Sequence, residues 1–559
     1  MSNNATRQIA RAAGTVMVAL LFGQLAGLAR GILVARAFGA SPELDAFVYS
    51  NRVCETLFLL VAGGALGSTF LPAFTGLLAK DDRDSAWKLA SSLANTVTLT
   101  LSLLAILVAV FAPQVVRYAL APGLYKNPEL FALTVSLLRI QLISALLFGL
   151  GGLIVGILNA HQVFLIPALT PAMYQLGIIF GALVLAPSMG IFGLAWGVVI
   201  GALLYLLMQI PSLLKLIYPL RPHLHSLRGQ VQVSDTSPKI RRTSVGFWGR
   251  LGGGLGLDNP NTRQVILLMG PRLLGVAVVQ LNFWVNNILA SSMEGGSAAS
   301  LSYGFSLMLV AQTAIAQSVA IAALPTFSAQ YALGKIDEMR ASLAASLRGI
   351  LLFAVPASVG LILLREPLIS FLYQRGKFDE HDVQLTAWAL LWYAAGLVGH
   401  SIMEILTRAF YAQQDTKTPV IIGIIAMGLN ILFSILFSKY FAQMGWFPLG
   451  GLALANSLAT ALEATALFIF MQRRLNGMEG WSLLDGAWRI TLSALGMAIG
   501  LVWWTQAAGN LTRWLAALGG VAIGGILYLM GVMILKVPEM RMLSQMIVRR
   551  LIRRASSSQ

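Results

Sequence analysis

The sequence predicts an all-α polytopic membrane protein, and three observations carry that prediction. Hydrophobic residues make up 57% of the 559-residue chain and charged residues 11%, with mean hydropathy +0.76. An ordinary globular chain carries about 25% charged residues, so half the usual charge has given way to apolar side chains. The apolar residues lie in runs long enough to cross a hydrocarbon core about 30 Å thick, which takes roughly 20 residues of helix. The runs are also continuous rather than alternating, as expected for helices and not for the strands of a barrel. Cys54 is the single cysteine and the five histidines are scattered, which excludes an intrachain disulfide and a cysteine-ligated zinc site.

About fourteen such runs follow one another along the chain. They are 10–36, 44–76, 86–112, 130–160, 164–186, 190–216, 265–292, 300–330, 341–370, 383–412, 418–440, 447–472, 486–508 and 513–536. The first lacks a small-residue cleavage site after it and carries Arg30 and Arg36 near its end, so it is read as a retained span and not as a signal peptide. The longest polar interruption, 217–263, separates six spans from eight. The expected organisation is a six-helix lobe over 1–216, a basic cytoplasmic loop over 217–263, a second six-helix lobe over 264–474, two additional helices over 475–536 and a tail over 537–559. No sequence repeat relates the halves, and the two-lobe expectation rests on span count. In the tail, Met, Leu and Ile recur at helical spacing beside Arg549, Arg550, Arg553 and Arg554, the pattern of an interfacial helix held by anionic lipid.

The formal net charge of +17 is explained by topology. Eight cations, Arg36, Arg117, Lys126, Arg365, Arg375, Lys377, Lys439 and Arg513, fall on one set of alternate loops. Four, Arg30, Arg52, Arg139 and Arg272, fall within or near the spans, and the other 27 of 39 occupy the opposite loops and both chain ends. The positive-inside rule assigns that richer side, and both termini, to the cytoplasm. Nucleic acid is not needed as a partner.

Arginine in hydrocarbon costs at least a few kcal/mol, so one within a span is a functional candidate by default. Arg30, in GLARGILVARAFGASPELDAF, offers bidentate donors to a phosphate; a snorkelling side chain or an ion pair with Asp45 is the structural reading of the same residues. Arg52 and Glu55 share one helix face at i, i+3 and are able to neutralise each other. Gly63, Gly64 and Gly67, and the GxxxG of Gly152 and Gly156, point to close helix packing. Glu404, with His400 one turn before it, and Glu463 are candidates for ion coupling or for contacts inside the bundle. FLYQRGKFDEHD reads as an external turn. RAFYAQQDTKTPV reads as an internal one, with Asp415, Thr418 and Pro419 suited to starting a helix. The glycines of 252–256 follow no strand, which removes a nucleotide fingerprint. No Walker loop, Ser-His-Asp arrangement or carboxylate pair with a plausible polar pocket is present, so a transporter without ATP hydrolysis is expected rather than an enzyme.

GLARGILVARAFGASPELDAF, GPRLLGVAVVQLNFWVNN, FLYQRGKFDEHD and RAFYAQQDTKTPV resemble, in order and spacing, segments of the MurJ (MviN) family of lipid II flippases, in the multidrug/oligosaccharidyl-lipid/polysaccharide exporter superfamily. The resemblance covers nearly the whole chain. It implies a bacterial inner-membrane protein of fourteen helices in two six-helix lobes, with the last two helices forming a groove for a polyprenyl tail. It further implies transport of the undecaprenyl-pyrophosphate-linked peptidoglycan precursor between leaflets by alternating access, reset by a coupling cation or the membrane potential and with no cofactor. Lipid II or a related polyprenyl-pyrophosphate glycan, membrane lipids and cell-wall synthesis proteins are the implied partners. By the same resemblance Arg30 matches a cavity arginine, Asp45 the acid after it, and Arg139 a basic position of the fourth helix, while Arg52 and Arg272 are further candidates for substrate. Gln24, Phe58 and Ser306 stand where the family commonly has arginine, with Gln24 kept among the substrate-binding candidates. A flippase for another polyprenyl-linked glycan, a cation-coupled multidrug exporter relying on Glu404 and Glu463, and a non-transporting interaction protein are the competing expectations.

Overall fold

Helix is the conformation that satisfies every backbone group of an apolar run internally, and helices occupy the described part of every expected segment. The computed structural model describes residues 19, 22–60, 70–217, 260–477, 480–537 and 540. The bulk of the expected polar loop (218–259), most of the basic tail (541–559), and Gly63, Gly64 and Gly67 lie outside the described residues.

The main helices are α1 (residues 22–38), α2 (Pro42–Phe58), α3 (Leu71–Ala79), α4 (Arg83–Val110), α5 (Pro128–Ala160), α6 (Leu165–Phe180) and α7 (Ile191–Leu207). After the undescribed segment come α8 (Pro260–Ala290), α9 (Ser297–Gln312), α10 (Ser318–Ala332), α11 (Ile336–Leu363), α12 (Arg365–Tyr373), α13 (Glu380–Ala395), α14 (Leu397–Ala412), α15 (Lys417–Gln443), α16 (Leu449–Arg474), α17 (Gly480–Ala507) and α18 (Arg513–Ile534). By length and composition 10 helices qualify as membrane spans, or 11 when α13 and α14, bent by 44° at their junction, count as one. The shortfall against fourteen has local causes. The first two segments are interrupted by undescribed residues, and α8 carries Gln280, Asn282, Asn286 and Asn287.

Local chemistry sets the helix starts. The Ser41 hydroxyl accepts from Leu44 N at 3.3 Å, with Pro42 in the first turn of α2. Asp379 and Asp382 form a reciprocal capping box on α13. At α15, Asp415 Oδ1 accepts from the Lys417 and Thr418 amides at 3.1 Å each, and Asp415 also pairs with Arg474 at the end of α16. Burial acts to raise the Asp415 carboxyl, but the Thr418 hydrogen bonds and the Arg474 charge outweigh it and hold it down to about 2.

Two groups of helices are set apart by their helix–helix contacts, and two large clusters of buried apolar residues run across both. In the first, α5 is central, touching α2, α4 and α7, with α6 against α7. In the second, α16 packs on α13, α14 and α15, while α9 packs on α13 and α8 on α15. The final pair, α17 and α18, lies on α11 and α12. There the Tyr528 hydroxyl donates to Leu352 O at 2.6 Å and Arg489 Nη1 to Leu535 O at 3.2 Å.

Glycine controls the closest approach in the first group. A Cβ on Gly177 of α6 would sit 2.1 Å from Gly201 Cα of α7, and one on Gly181 would sit 2.7 Å from Gly197 Cα. The expected packing role of Gly156 also appears, since its Cβ would meet the Phe70 ring at 3.0 Å. Gly177→Ala is therefore expected to lower the Tm of the detergent-purified protein, by overpacking of about 1–3 kcal/mol. Gly76→Ala on α3, where a Cβ meets nothing within 4 Å, should leave Tm unchanged or raise it, and equal behaviour of the two variants would refute the close-contact account.

Candidate functional site

Where the two groups face each other they enclose a cavity of about 650 Å³, lined from α1, α2 and α6 on one side and from α8, α9, α13 and α16 on the other. That volume lies within the ordinary range of ligand pockets, roughly 300–1,000 Å³. Charged side chains among its described lining residues are Arg30, Arg52 and Glu55.

These three are not equivalent. Arg52 Nη1 donates to Glu55 Oε2 at 2.9 Å, and the other carboxylate oxygen of Glu55 accepts from Asn51 Nδ2 at 2.8 Å. The Arg52 guanidinium also lies over the Phe283 ring, 4.7 Å from its centroid, and its Nε is buried without a hydrogen-bond partner among the described residues. Arg52 is thus charge-compensated and held in place. Arg30 forms no hydrogen bond or ion pair among the described residues and stands within Coulombic reach of Tyr174, Tyr303 and Tyr373. It is the one uncompensated charge of the described lining, and a guanidinium so placed is suited to an anion.

The remaining candidates are distributed differently. Gln24 and Ser306 line the cavity, so two positions expected to be cationic contribute uncharged polar groups. Phe58 does not line it. Its ring packs 4.9 Å from Phe148 and 6.3 Å from Tyr205, inside the first helix group. Arg139 is exposed on α5, donating from Nε to Ala109 O at 3.0 Å, and is not brought together with Arg30. Arg272 belongs to α8 at a position whose side chain lies outside the described residues. Glu404 pairs with Arg408 at 2.8 Å one turn along α14, and Glu463 faces Gly423 of α15; neither lines the cavity.

Asp45 takes a structural position instead of a cavity one. It is 4% exposed, and its carboxylate accepts from Gly296 N at 2.7 Å and Ala299 N at 2.8 Å, at the start of α9. Negative charge at a helix N-terminus satisfies amides that have no partner within the helix. Asp382 Oδ2 does the same across the groups, accepting from Ala40 N at 2.9 Å, and Lys377 N donates to Arg36 O at 3.1 Å. Gly39, Gly296 and Gly376, all at positive φ, permit this approach: a Cβ on Gly296 would meet Ala40 O at 2.0 Å and one on Gly376 would meet Arg36 O at 2.2 Å. These contacts join the two groups at one end of the cavity, beside its lining residues Leu44, Ala298 and Ala299.

Reading the sequence missed the carboxamides of the lining, Asn51, Gln175, Asn286, Asn287 and Asn456. The available signal was their presence inside apolar runs, where an uncharged polar side chain also needs a partner.

A family model described as lipid II flippase MurJ matches residues 34–518. The lipid II flippase MurJ of Burkholderia cenocepacia is 29% identical over 466 residues, which cover 83% of this chain and 84% of that protein. A solved lipid II flippase MurJ in an inward closed conformation superposes with a TM-score of 0.73 at 25% identity, covering 96% of this chain and 99% of the other. An inward-facing multidrug resistance MATE family transporter of the MOP superfamily shares the fold at a TM-score of 0.63 and 15% identity, covering 82% and 98% respectively.

Asp45→Ala leaves the Gly296 and Ala299 amides without their acceptor. Hydrogen–deuterium exchange over 296–299 is expected to accelerate about tenfold or more, given about 1–3 kcal/mol for each unsatisfied group, while exchange in α4 stays as in the parent. Unchanged exchange over 296–299 would remove Asp45 from the junction of the two groups.

Proposed function

The chain belongs to the lipid II flippase MurJ family, and from that membership we propose that it moves lipid II from the inner to the outer leaflet of a bacterial cytoplasmic membrane by alternating access. The observation that supports this reading best is Arg30, an uncompensated guanidinium in a cavity between two helix groups, placed to hold the pyrophosphate. Gln24 joins it as a hydrogen-bonding neighbour, and Arg52 acts through a charge already shared with Glu55. Arg272 remains a candidate contact by its place on α8, whereas Asp45 serves the closed end and Arg139 the outer surface of α5.

The chain works without ATP hydrolysis, reset by a coupling cation or by the membrane potential. Both termini lie in the cytoplasm by the cation bias, so the end joined by Asp45 and Asp382 is periplasmic and the described state is closed to the outside. The domain plan is two six-helix lobes, a basic loop, two further helices and a basic tail, with cell-wall synthesis proteins as the class of protein partner.

A flippase for another polyprenyl-linked glycan is the second reading. It is favoured by Gln24 and Ser306, which keep the cavity less cationic than the family pattern. The multidrug-exporter reading loses support because Glu404 and Glu463 stand apart from the cavity.

Complementation separates the readings. In a bacterium depleted of its own flippase, the parent chain should restore growth and outer-leaflet exposure of lipid II. Arg30→Ala should insert normally and restore neither. Rescue by Arg30→Ala would reject the role of Arg30, and failure of the parent chain to expose lipid II would favour another glycan.

A further inference from the structure

The cavity is polarised. Its three described charged residues all stand on α1 and α2, whereas the facing wall from α8, α9, α13 and α16 presents hydroxyls and carboxamides with no charged side chain among the described residues. Arg52 and Glu55 cancel, so a single positive charge is left to meet a pyrophosphate whose phosphoryl groups are both ionised. Charge alone therefore supplies only part of the recognition, and neutral hydrogen bonds must supply the remainder.

The facing wall has groups free to do so. Asn287 is 7% exposed, lines the cavity, and its Nδ2 has no hydrogen-bond partner among the described residues. Burying such a donor unmade costs about 1–3 kcal/mol, a cost removed when a ligand accepts from it. Asn456 is fixed from behind, its Oδ1 lying 3.1 Å from His400 Nε2, and its Nδ2 forms no hydrogen bond among the described residues. A carboxamide carries donors and an acceptor side by side, the complement of an acetamido or peptide group and a poor match to a dianionic phosphate.

We infer that the cavity divides its substrate, the α1–α2 wall holding the phosphate through Arg30 and the opposite wall reading the neutral acetamido and peptide amide groups through Asn287 and Asn456. This rests on the flippase reading above. It goes further in naming the part of the head group that confers selectivity and the wall that reads it. It also fixes the order of release. Contacts broken when the walls part are neutral hydrogen bonds, roughly half as strong as charge-assisted ones, so the phosphate stays with the first helix group while the glycan is let go.

The test compares two probes on the full-length purified protein by native mass spectrometry: lipid II, and undecaprenyl pyrophosphate, which keeps the tail and a pyrophosphate with one further ionisable oxygen but has no sugar or peptide. Asn287→Ser and Asn456→Ala, each compared at an unchanged Tm, should weaken lipid II about fivefold to tenfold, the size of a lost neutral hydrogen bond, and leave undecaprenyl pyrophosphate within about twofold. Asn287→Gln, which keeps the carboxamide, should recover part of the loss. Arg30→Ala should weaken both probes alike. If the asparagine variants leave lipid II binding intact, or weaken both probes equally, the division is wrong while the flippase reading stands. If the parent protein binds neither probe, the flippase reading itself fails.

Discussion

The cost of leaving a charge uncompensated in a bilayer is the constraint on which the rest of this structure depends. It explains why Arg52 is locked to Glu55 and laid over Phe283, why Glu404 carries Arg408 one turn away, and why Asp45 is buried only where two backbone amides receive it. Set against these compensated groups, Arg30 is distinguished by what it lacks. Arg52, Glu404 and Asp45 are each compensated, whereas Arg30 has no such partner among the described residues and faces the cavity.

Packing gives that cavity its shape. The first helix group is drawn together at Gly177, Gly181, Gly197 and Gly201, where backbone meets backbone. The last two helices lie outside both groups on α11 and α12, tied to α11 by Tyr528 and to each other by Arg489. Departures from the family pattern follow the same division: Phe58 is absorbed into an aromatic cluster of one group, while Gln24 and Ser306 remain at the interface and change what it offers a ligand.

Hydropathy made the helices legible, because the length of an apolar run is a property of the chain alone. The direction in which a side chain points is not. Arg30 and Arg139 look alike in sequence, each an arginine in an apolar run, and only the rotation of their helices puts one in the cavity and the other on the outer surface. The Arg52–Glu55 pair was readable because its i, i+3 spacing is local. The bonds of Asp45 to Gly296 and Ala299 were not, since they join residues some 251 positions apart. Asn287 and Asn456 escaped attention for a different reason: an amide in a span costs less than an ion and stands out less.

The closure built by Asp45 and Asp382 has an evolutionary consequence. Both carboxylates read main-chain amides, and the turns they meet are admitted by glycine at 39, 296 and 376. Side-chain identity at exposed Arg36 enters only weakly, because its backbone makes the contact, whereas Ala40 and Ala299 are buried and held small by packing. Drift among descendants of this chain should be permissive at Arg36 and restrictive at two acids, three glycines and two buried alanines, so that the latch persists while exposed residues around it diverge.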